Sequence, residues 1–322
     1  MKEIKVTKND SGQRIDRFLS KSFPLGQGQI CKLARKNCIK LNGKKCKPDT
    51  HIAENDIIKL FIPDEMLIPK AKSDPDDFTG VSDKIDIVYE DENILLVDKP
   101  VGMVVHEDES GDSDTLINRI KSYLYHKGEY HPENELSFAP ALCNRIDRNT
   151  CGIVIAAKNA ESLRILNQKI RDRELTKLYL CIACGKVTPD SATLTAYLEK
   201  NSDTNTVKIS DKKTKSNLTI KTKYKVIAYN GENSLLKVDL LTGRTHQIRA
   251  HLAYIGHALL GDGKYGNNKL NKKYGFKYQA LCSYELQFKF TTDAGCLSYL
   301  DGKCFKAKAP DFVKMFGSNI KL

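Results

Sequence analysis

The chain has 322 residues, room for two domains and a sizeable core, and its 40% hydrophobic content without low-complexity tracts excludes a disordered or fibrous protein. No apolar run reaches the roughly 18 residues that span a bilayer, and Met1-Lys2-Glu3-Ile4-Lys5 is not a signal-type start, so no membrane association and a cytoplasmic location are expected. A formal charge of +12, from 52 Lys+Arg and 40 Asp+Glu, favours a polyanionic partner over a basic one.

The charge is unevenly divided along the chain. Residues 1–60 carry 14 basic against 6 acidic side chains, net +8; residues 61–114 carry 4 against 16, net −12; residues 115–322 carry 34 against 18, net +16. In the first basic block, Arg14-Ile15-Asp16-Arg17-Phe18-Leu19 places apolar residues at helical spacing. Gln29-Ile30-Cys31-Lys32-Leu33-Ala34-Arg35-Lys36 repeats that spacing with basic residues on the other face. Ile39-Lys40-Leu41-Asn42-Gly43-Lys44 predicts a strand and a tight Asn-Gly turn, and residues 56–60 a closing strand. Two basic helices on a small sheet are expected. The pattern over residues 12–61 resembles the S-four-type RNA-binding domain, named after a small-subunit ribosomal protein. That resemblance implies an RNA-binding face at Arg14, Lys32, Arg35 and Lys36.

Pro63, Pro69 and Pro75 with Asp74, Asp76 and Asp77 predict an acidic linker over residues 63–84. Beyond it, residues 85–89 and 94–98 read as strands around an Asp91-Glu92-Asn93 turn. Asn144-Arg145-Ile146-Asp147-Arg148-Asn149-Thr150-Cys151-Gly152 sets one carboxylate between two arginines, just before a continuously apolar strand at 152–157. A carboxylate held between cations can act as nucleophile or base, or serve as an ordinary structural ion pair. Residues 163–175 are expected to be helical, and 176–187 a strand containing Lys177-Leu178-Tyr179. Cys181 and Cys184 fall on that strand three residues apart, hence on opposite faces and poorly placed to share a metal. Reduced, mostly buried thiols are expected for all ten cysteines.

Residues 224–241 predict two strands broken at Asn230-Gly231, and 245–255 a helix. The segment Thr242-Gly243-Arg244-Thr245-His246-Gln247-Ile248-Arg249-Ala250-His251 crowds basic groups at that helix's start, where Thr242 or Thr245 would cap it and an anion such as phosphate would be favoured. His246 and His251 stand five apart, about 140° around a helix, so they do not make a zinc pair. Gly261-Asp262-Gly263-Lys264-Tyr265-Gly266 lacks the spacing of a nucleotide cradle.

Taken in order, these motifs resemble the RluA-type family of RNA pseudouridine synthases, which act mainly on large-subunit ribosomal RNA. The resemblance covers nearly the whole chain and includes Lys99-Pro100-Val101-Gly102-Met103-Val104-Val105-His106, the Asp147 motif, Lys177-Leu178-Tyr179, residues 243–251, residues 256–266, and Phe305-Lys306-Ala307-Lys308-Ala309-Pro310. It implies that Asp147 is the catalytic aspartate, Tyr179 the tyrosine stacked on the target base, Arg249 the basic partner of the aspartate, and Arg145 an arginine that helps flip the nucleotide. Arg244 and His246 join the RNA-binding set. It further implies cleavage of the bond from ribose C1′ to base N1 and rejoining through C5, with no cofactor and no metal. Attack on the sugar, attack on the base and removal of a 2′ proton all remain open roles for the aspartate. The chain departs from the family at Asn144, where a histidine is usual, and at Cys151, where a serine is usual.

The expected class is α+β: a small αβ RNA-binding domain (1–62), the linker (63–84), and a catalytic domain (85–322) with a mixed, largely antiparallel sheet flanked by helices. The expected partner is RNA, large-subunit ribosomal RNA or a ribosome precursor, and the chain is expected to act as a monomer. A non-catalytic RNA-binding or assembly factor would keep the basic face but need not carry Asp147, Tyr179 and Arg249 together. An RNA methyltransferase would need a glycine-rich cofactor loop after the first strand, which Lys99-Pro100-Val101-Gly102 is not.

Overall fold

A computed structural model describes residues 1–68, 76–107, 111–201, 206–317 and 320–322. It begins with Lys2–Lys5 (β1), Ile15–Ser22 (α1), Gln27–Arg35 (α2), Ile39–Leu41 (β2), Lys44–Lys45 (β3) and Ile57–Leu60 (β4). These strands form an antiparallel sheet in the order β1-β4-β2-β3. Ile15, Phe18 and Leu19 pack with Ile30 and Ala34 onto Ile4, Ile39, Ile58 and Leu60, so the helical spacing legible in the sequence is the buried stripe. Asn42 and Gly43 both take positive φ, as the short turn between β2 and β3 requires.

The following elements are Asp76–Thr79 (α3), Ile87–Glu90 (β5), Ile94–Lys99 (β6), Leu116–His126 (α4), Ala141–Leu142 (β7), Cys151–Ala157 (β8), Ala160–Arg171 (α5), Leu175–Cys184 (β9), Ser191–Asn201 (β10), Thr206–Ser210 (β11), Leu218–Tyr229 (β12), Asn233–Asp239 (β13), Gln247–Tyr254 (α6), Asn268–Lys273 (α7), Leu281–Phe288 (β14) and Cys304–Lys306 (β15). Among the described residues they build an 11-stranded sheet in the order β11-β10-β12-β13-β9-β14-β8-β6-β5, with β15 on β14 and β7 on β8. Among the described residues only β14 and β8 run parallel. The class is therefore α+β with a mixed, largely antiparallel sheet, as expected. One face packs against α4 and α6 through Ile120, Leu124, Ile248 and Leu252. The other packs against α5 and the C-terminal segment through Leu166, Leu297, Leu300 and Val313.

Local boundaries differ from the sequence reading for physical reasons. The helix expected at 163–175 runs Ala160–Arg171: Asn159 caps it by accepting the Ser162 N–H at 2.8 Å, and Arg173 at φ 62° ends it, which frees Leu175 to open β9. The helix expected at 245–255 starts at Gln247 after a left-handed His246, and neither threonine caps it. Instead the Thr242 hydroxyl donates to Gln247 Oε1 at 2.9 Å. Within the expected linker, Pro69, Asp74 and Pro75 lie outside the described residues. Phe78 is fully buried beside Tyr125 and Tyr130, so the chain joins the larger core before residue 85.

The N-terminal unit is docked on the loop before β7 and the start of α5 by polar contacts, and Leu136 packs against its core. Asn9 Nδ2 donates to Glu135 Oε1 at 2.6 Å, Gln13 Nε2 to Ser137 Oγ at 2.8 Å, and Ser137 Oγ to the fully buried Asp10 at 2.6 Å. The Ala160 N–H, at the start of α5, donates to Asn9 Oδ1 at 3.2 Å.

Candidate active site

Asp147 sits in the loop between β7 and β8, and Gly152 is what lets that loop approach the sheet. Gly152 has φ +105°, and a Cβ there would stand 2.2 Å from the Ser283 carbonyl oxygen on β14. Absence of that Cβ permits the single parallel pairing, β8 on β14, which brings the Asp147 loop beside β9 and Tyr179. From the other side, Lys99 is fully buried at the end of β6 and donates to the carbonyls of Pro100 and Met103, both at 2.8 Å, and of Arg148 at 2.9 Å. Burial pushes its ammonium down to about 8. The loop is thus pinned at the residue next to the carboxylate.

The charged centre is a chain of three groups. Arg249, on α6, donates from Nη1 to Asp147 Oδ2 at 2.8 Å. Its Nε and Nη2 grip Asp262 at 2.7 and 3.0 Å in a bidentate fork. Burial opposes the charge on Arg249, and the bonds to Asp262 and Asp147 outweigh it, so the guanidinium is held more firmly protonated than usual. Asp262 is fully buried. Desolvation alone would raise its carboxyl, but Arg249 and the backbone N–H groups of Tyr265 and Lys264 hold it below the ordinary value. Asp147 keeps 27% side-chain exposure, and its Oδ1 has no hydrogen bond among the described residues. One oxygen is therefore fixed and the other left open.

Around this centre, His246 Nε2 stands 3.9 Å from Asp147, and His246 Nδ1 is 2.9 Å from the Tyr265 hydroxyl. Burial pushes the imidazole below its usual value; Asp147 opposes that shift and Arg249 reinforces it. The left-handed backbone at His246, φ 52°, is uncommon for a side-chain-bearing residue, and it lies where the ring meets the carboxylate. Tyr265 also presents its ring face to Arg249, 5.4 Å from centroid to guanidinium. Tyr179 is 5% exposed, and burial raises its hydroxyl to about 12, so the phenol is protonated at neutral pH. A cleft of about 560 Å³ opens beside Arg249, lined by Asn149, Gly261, Gly263, Lys264, Tyr278 and Gln279. A second cleft of about 520 Å³ lies along β6 and α4, away from these groups, and carries the carboxylates of Asp83, Asp86 and Asp98.

The structure thus brings Asp147, Arg249, His246 and Tyr179 into one region. Arg145 is exposed in the same loop, close enough to His106 to depress its imidazole after burial has done so. Arg244 is exposed before α6. The sequence places Arg145 and Arg148 as the cations beside Asp147, but the contact at hydrogen-bond distance comes from Arg249, 102 residues away. Lys32, Arg35 and Lys36 are exposed together on and just after α2, in the separate N-terminal unit. Arg14 differs from them, because its guanidinium is taken up by Asp16 at 2.5 and 3.1 Å. Asp262, Tyr265 and Lys99 join the site only in the fold; a buried acid inside a glycine-rich loop gives no local signal of its partner. Among the described residues, no cluster of three or more His, Cys, Asp or Glu could hold a metal ion, and no helix is long and apolar enough to cross a membrane.

Comparison with known proteins fits this geometry. Residues 93–254, which include Asp147, Tyr179 and Arg249, match the family model described as RNA pseudouridylate synthase. A Mycoplasma genitalium protein described as an uncharacterized RNA pseudouridine synthase is 35% identical over 291 residues, 88% of each chain. The ribosomal large subunit pseudouridine synthase D of Borreliella burgdorferi is 32% identical over 268 residues, 81% of this chain and 78% of that one. The structure of human RNA pseudouridylate synthase domain containing 4 superposes with a TM-score of 0.56 at 18% identity, covering 71% of this chain and 90% of that chain, a likeness of fold. By its match to the family model and its relatives above 30% identity across most of its length, the chain belongs to the RNA pseudouridylate synthase family and is an RNA pseudouridine synthase, an isomerase.

Proposed function

We propose that Asp147 performs the isomerisation, that Tyr179 and Arg249 complete the catalytic set, and that the target uridines lie in large-subunit ribosomal RNA or a ribosome precursor. The observation that carries the catalytic assignment is the Asp147–Arg249–Asp262 chain, which fixes one oxygen of the partly exposed Asp147 carboxylate and leaves the other without a hydrogen bond among the described residues, while Arg249 itself lines an open cleft. The reaction breaks the bond between C1′ and N1 and forms one between C1′ and C5. A proton leaves C5 and one is taken up at N1, so atoms and electrons balance without a cofactor or metal. A base inside folded RNA must leave its stack to reach such a site. The Tyr179 ring then offers a stacking surface, and its protonated hydroxyl is a donor rather than a base.

The ribosomal substrate is supported by the relative named for the large ribosomal subunit. In the same reading, residues 1–62 are an S-four-type RNA-binding domain, residues 63–84 the connection and residues 85–322 the catalytic domain. Lys32, Arg35 and Lys36 supply phosphate contacts, and Arg145, Arg244 and His246 contact RNA near the target. The test is Asp147→Asn, which keeps the side chain's size. The variant should unfold at the wild-type midpoint, bind RNA and form no pseudouridine; turnover near wild type would reject the assignment. Pseudouridine mapping in cells lacking the gene should show sites lost from large-subunit ribosomal RNA, and sites lost only from another RNA would reject the substrate.

A further inference from the structure

Residues 206–225 contain seven lysines and one acidic residue, Asp211. The three strands β10, β11 and β12 form one end of the large sheet, and their two faces differ sharply. The inner face carries Ala196, Leu198, Val207, Ile209 and Ile220, closed against Ala250 of α6 and Tyr265. On the outer face Lys221, Lys223 and Lys225 alternate along β12, all exposed, and their cross-strand partners on β10 are Thr195, Thr193 and Ser191, also exposed. Two residues of strand rise about 6.7 Å, so three ammonium groups follow one another in a row. None of the three has an ion pair within 4 Å or a side-chain hydrogen bond among the described residues. Lys237 of β13, opposite Lys225, is instead neutralised by Glu285 at 2.8 Å.

Lysines commonly guard the open edge of a sheet against pairing with another chain. That does not account for this row, because β12 is an interior strand, bonded to β10 on one side and β13 on the other. Asp239 of β13 stands opposite Lys223 in the register without an ion pair at 4 Å, so the row sets three ammonium groups against one neighbouring carboxylate. Such an excess of positive charge on a flat face of short hydroxyl side chains is complementary to a polyanion. The enzyme's own substrate is one.

We propose that the outer face of β12 and β10, through Lys221, Lys223 and Lys225, is a second RNA-contact surface that holds the phosphate backbone of the substrate away from the target uridine. The row is joined to the site through the backbone. Gln247, the first residue of α6, donates from Nε2 to the Lys221 carbonyl at 3.0 Å and accepts the Arg244 N–H on Oε1 at 3.1 Å. Beneath the row, the Tyr265 hydroxyl accepts the Val207 N–H at 2.9 Å and meets His246 at 2.9 Å. RNA held outside would therefore brace the wall on which Arg249 and His246 stand. Lysines on such a face read charge and not bases, so the surface supplies affinity and register without sequence preference.

The test compares K221Q/K223Q/K225Q with K308Q/K314Q/K321Q, three exposed lysines of the C-terminal segment, in the full-length protein. The probe is in-vitro-transcribed large-subunit ribosomal RNA, and the readout is the slope of log affinity against log salt, with thermal unfolding as the check on folding. Three lost phosphate contacts should flatten the slope by about 2–2.7 in the first variant, while the control keeps the wild-type slope. Equal slopes for the β12 variant and wild type, or equal flattening in both variants, would overturn the proposal. The measurement reads binding alone, so a ribosomal assignment that fails on modification leaves this result standing.

Discussion

Arg249 faces two carboxylates at once, and they do different work. Asp262, fully buried, holds the fork of Nε and Nη2; Asp147, partly exposed, takes the remaining Nη1. Removing one partner of a buried pair leaves an uncompensated charge, so Asp262→Ala should destabilise the fold by about 3–5 kcal/mol. Turnover should fall on the order of 10²-fold as Arg249 and with it Asp147 lose their setting. Arg249→Lys, which keeps a charge but not the fork, should reduce turnover while partly keeping RNA affinity. Urea unfolding and single-turnover pseudouridine formation read both effects, and wild-type turnover in either variant would show that the chain of three is not the working unit. Of this chain, Asp147 and Arg249 are expected from the family resemblance of their motifs, since the basic spacing alone leaves an ordinary ion pair open; Asp262 is visible only once the loop folds back 13 residues onto α6. His251 on the same helix is a second buried titratable group, its Nδ1 3.0 Å from the Thr222 hydroxyl, and burial pushes it down to about 4. The unfolded chain, with an ordinary value near 6.5, takes up the proton first as pH falls. Stability should therefore decline from about pH 6.5 toward 4, by up to roughly 3 kcal/mol from this group. His251→Gln should flatten that decline in urea midpoints read across the window, and parallel curves for variant and wild type would remove His251 as its source.

Among the elements, β8 and β14 determine where Asp147 can be. Their parallel pairing is only two residues long, Cys151 on Cys282 and Gly152 on Ser283, and the second pair needs a residue with no Cβ. Gly152→Ala meets both a carbonyl at 2.2 Å and a φ of +105°. A loss of about 2–4 kcal/mol is expected from strain of this kind, together with loss of activity as the loop separates from Tyr179. An unchanged unfolding midpoint would mean the two strands can part without cost. The strand β8 is legible because its seven residues are almost uniformly apolar. By contrast β14 is not, since Ser283, Glu285 and Gln287 interrupt its pattern; Glu285 is buried among donors that arrive from other parts of the chain, Lys237 of β13 at 2.8 Å and Cys304 of β15 among them. The helix expected at 163–175 is displaced for a comparable reason. Apolar positions at helical spacing stop at Ile170, and the left-handed turn at Arg173 that ends the helix before Leu175 is carried by no glycine or proline.

At the scale of the whole molecule, the division of charge into +8, −12 and +16 blocks is legible in the sequence, but the docking between units is not. It rests on Asn9, Asp10, Gln13, Glu135 and Ser137, polar residues with nothing in their local pattern to mark them, and on Leu136 against the N-terminal core. Docking of this kind fixes Lys32, Arg35 and Lys36 at a set distance from Asp147 instead of leaving them on a tether. Replacing all three by glutamine keeps the docking contacts, none of which they make, whereas deleting residues 1–62 would expose the segment around Ser137 and the start of α5. The triple variant should flatten the log–log salt dependence of RNA binding by about 2–2.7 and leave single-turnover rates at saturating RNA near wild type, since phosphate contacts give register and affinity but lie apart from the reacting base. If the N-terminal unit contacted protein or solvent instead, the slope would not move. If turnover at saturation collapsed in a folded variant, the basic face would be helping to bring the uridine to Asp147, and its role would be positioning as well as grip. The same titration on a variant lacking the β12 lysines orders the two surfaces. Additive changes in slope are expected for contacts that engage separate stretches of one RNA. A sub-additive pair would mean that both surfaces hold the same phosphates, which their placement in separate units argues against.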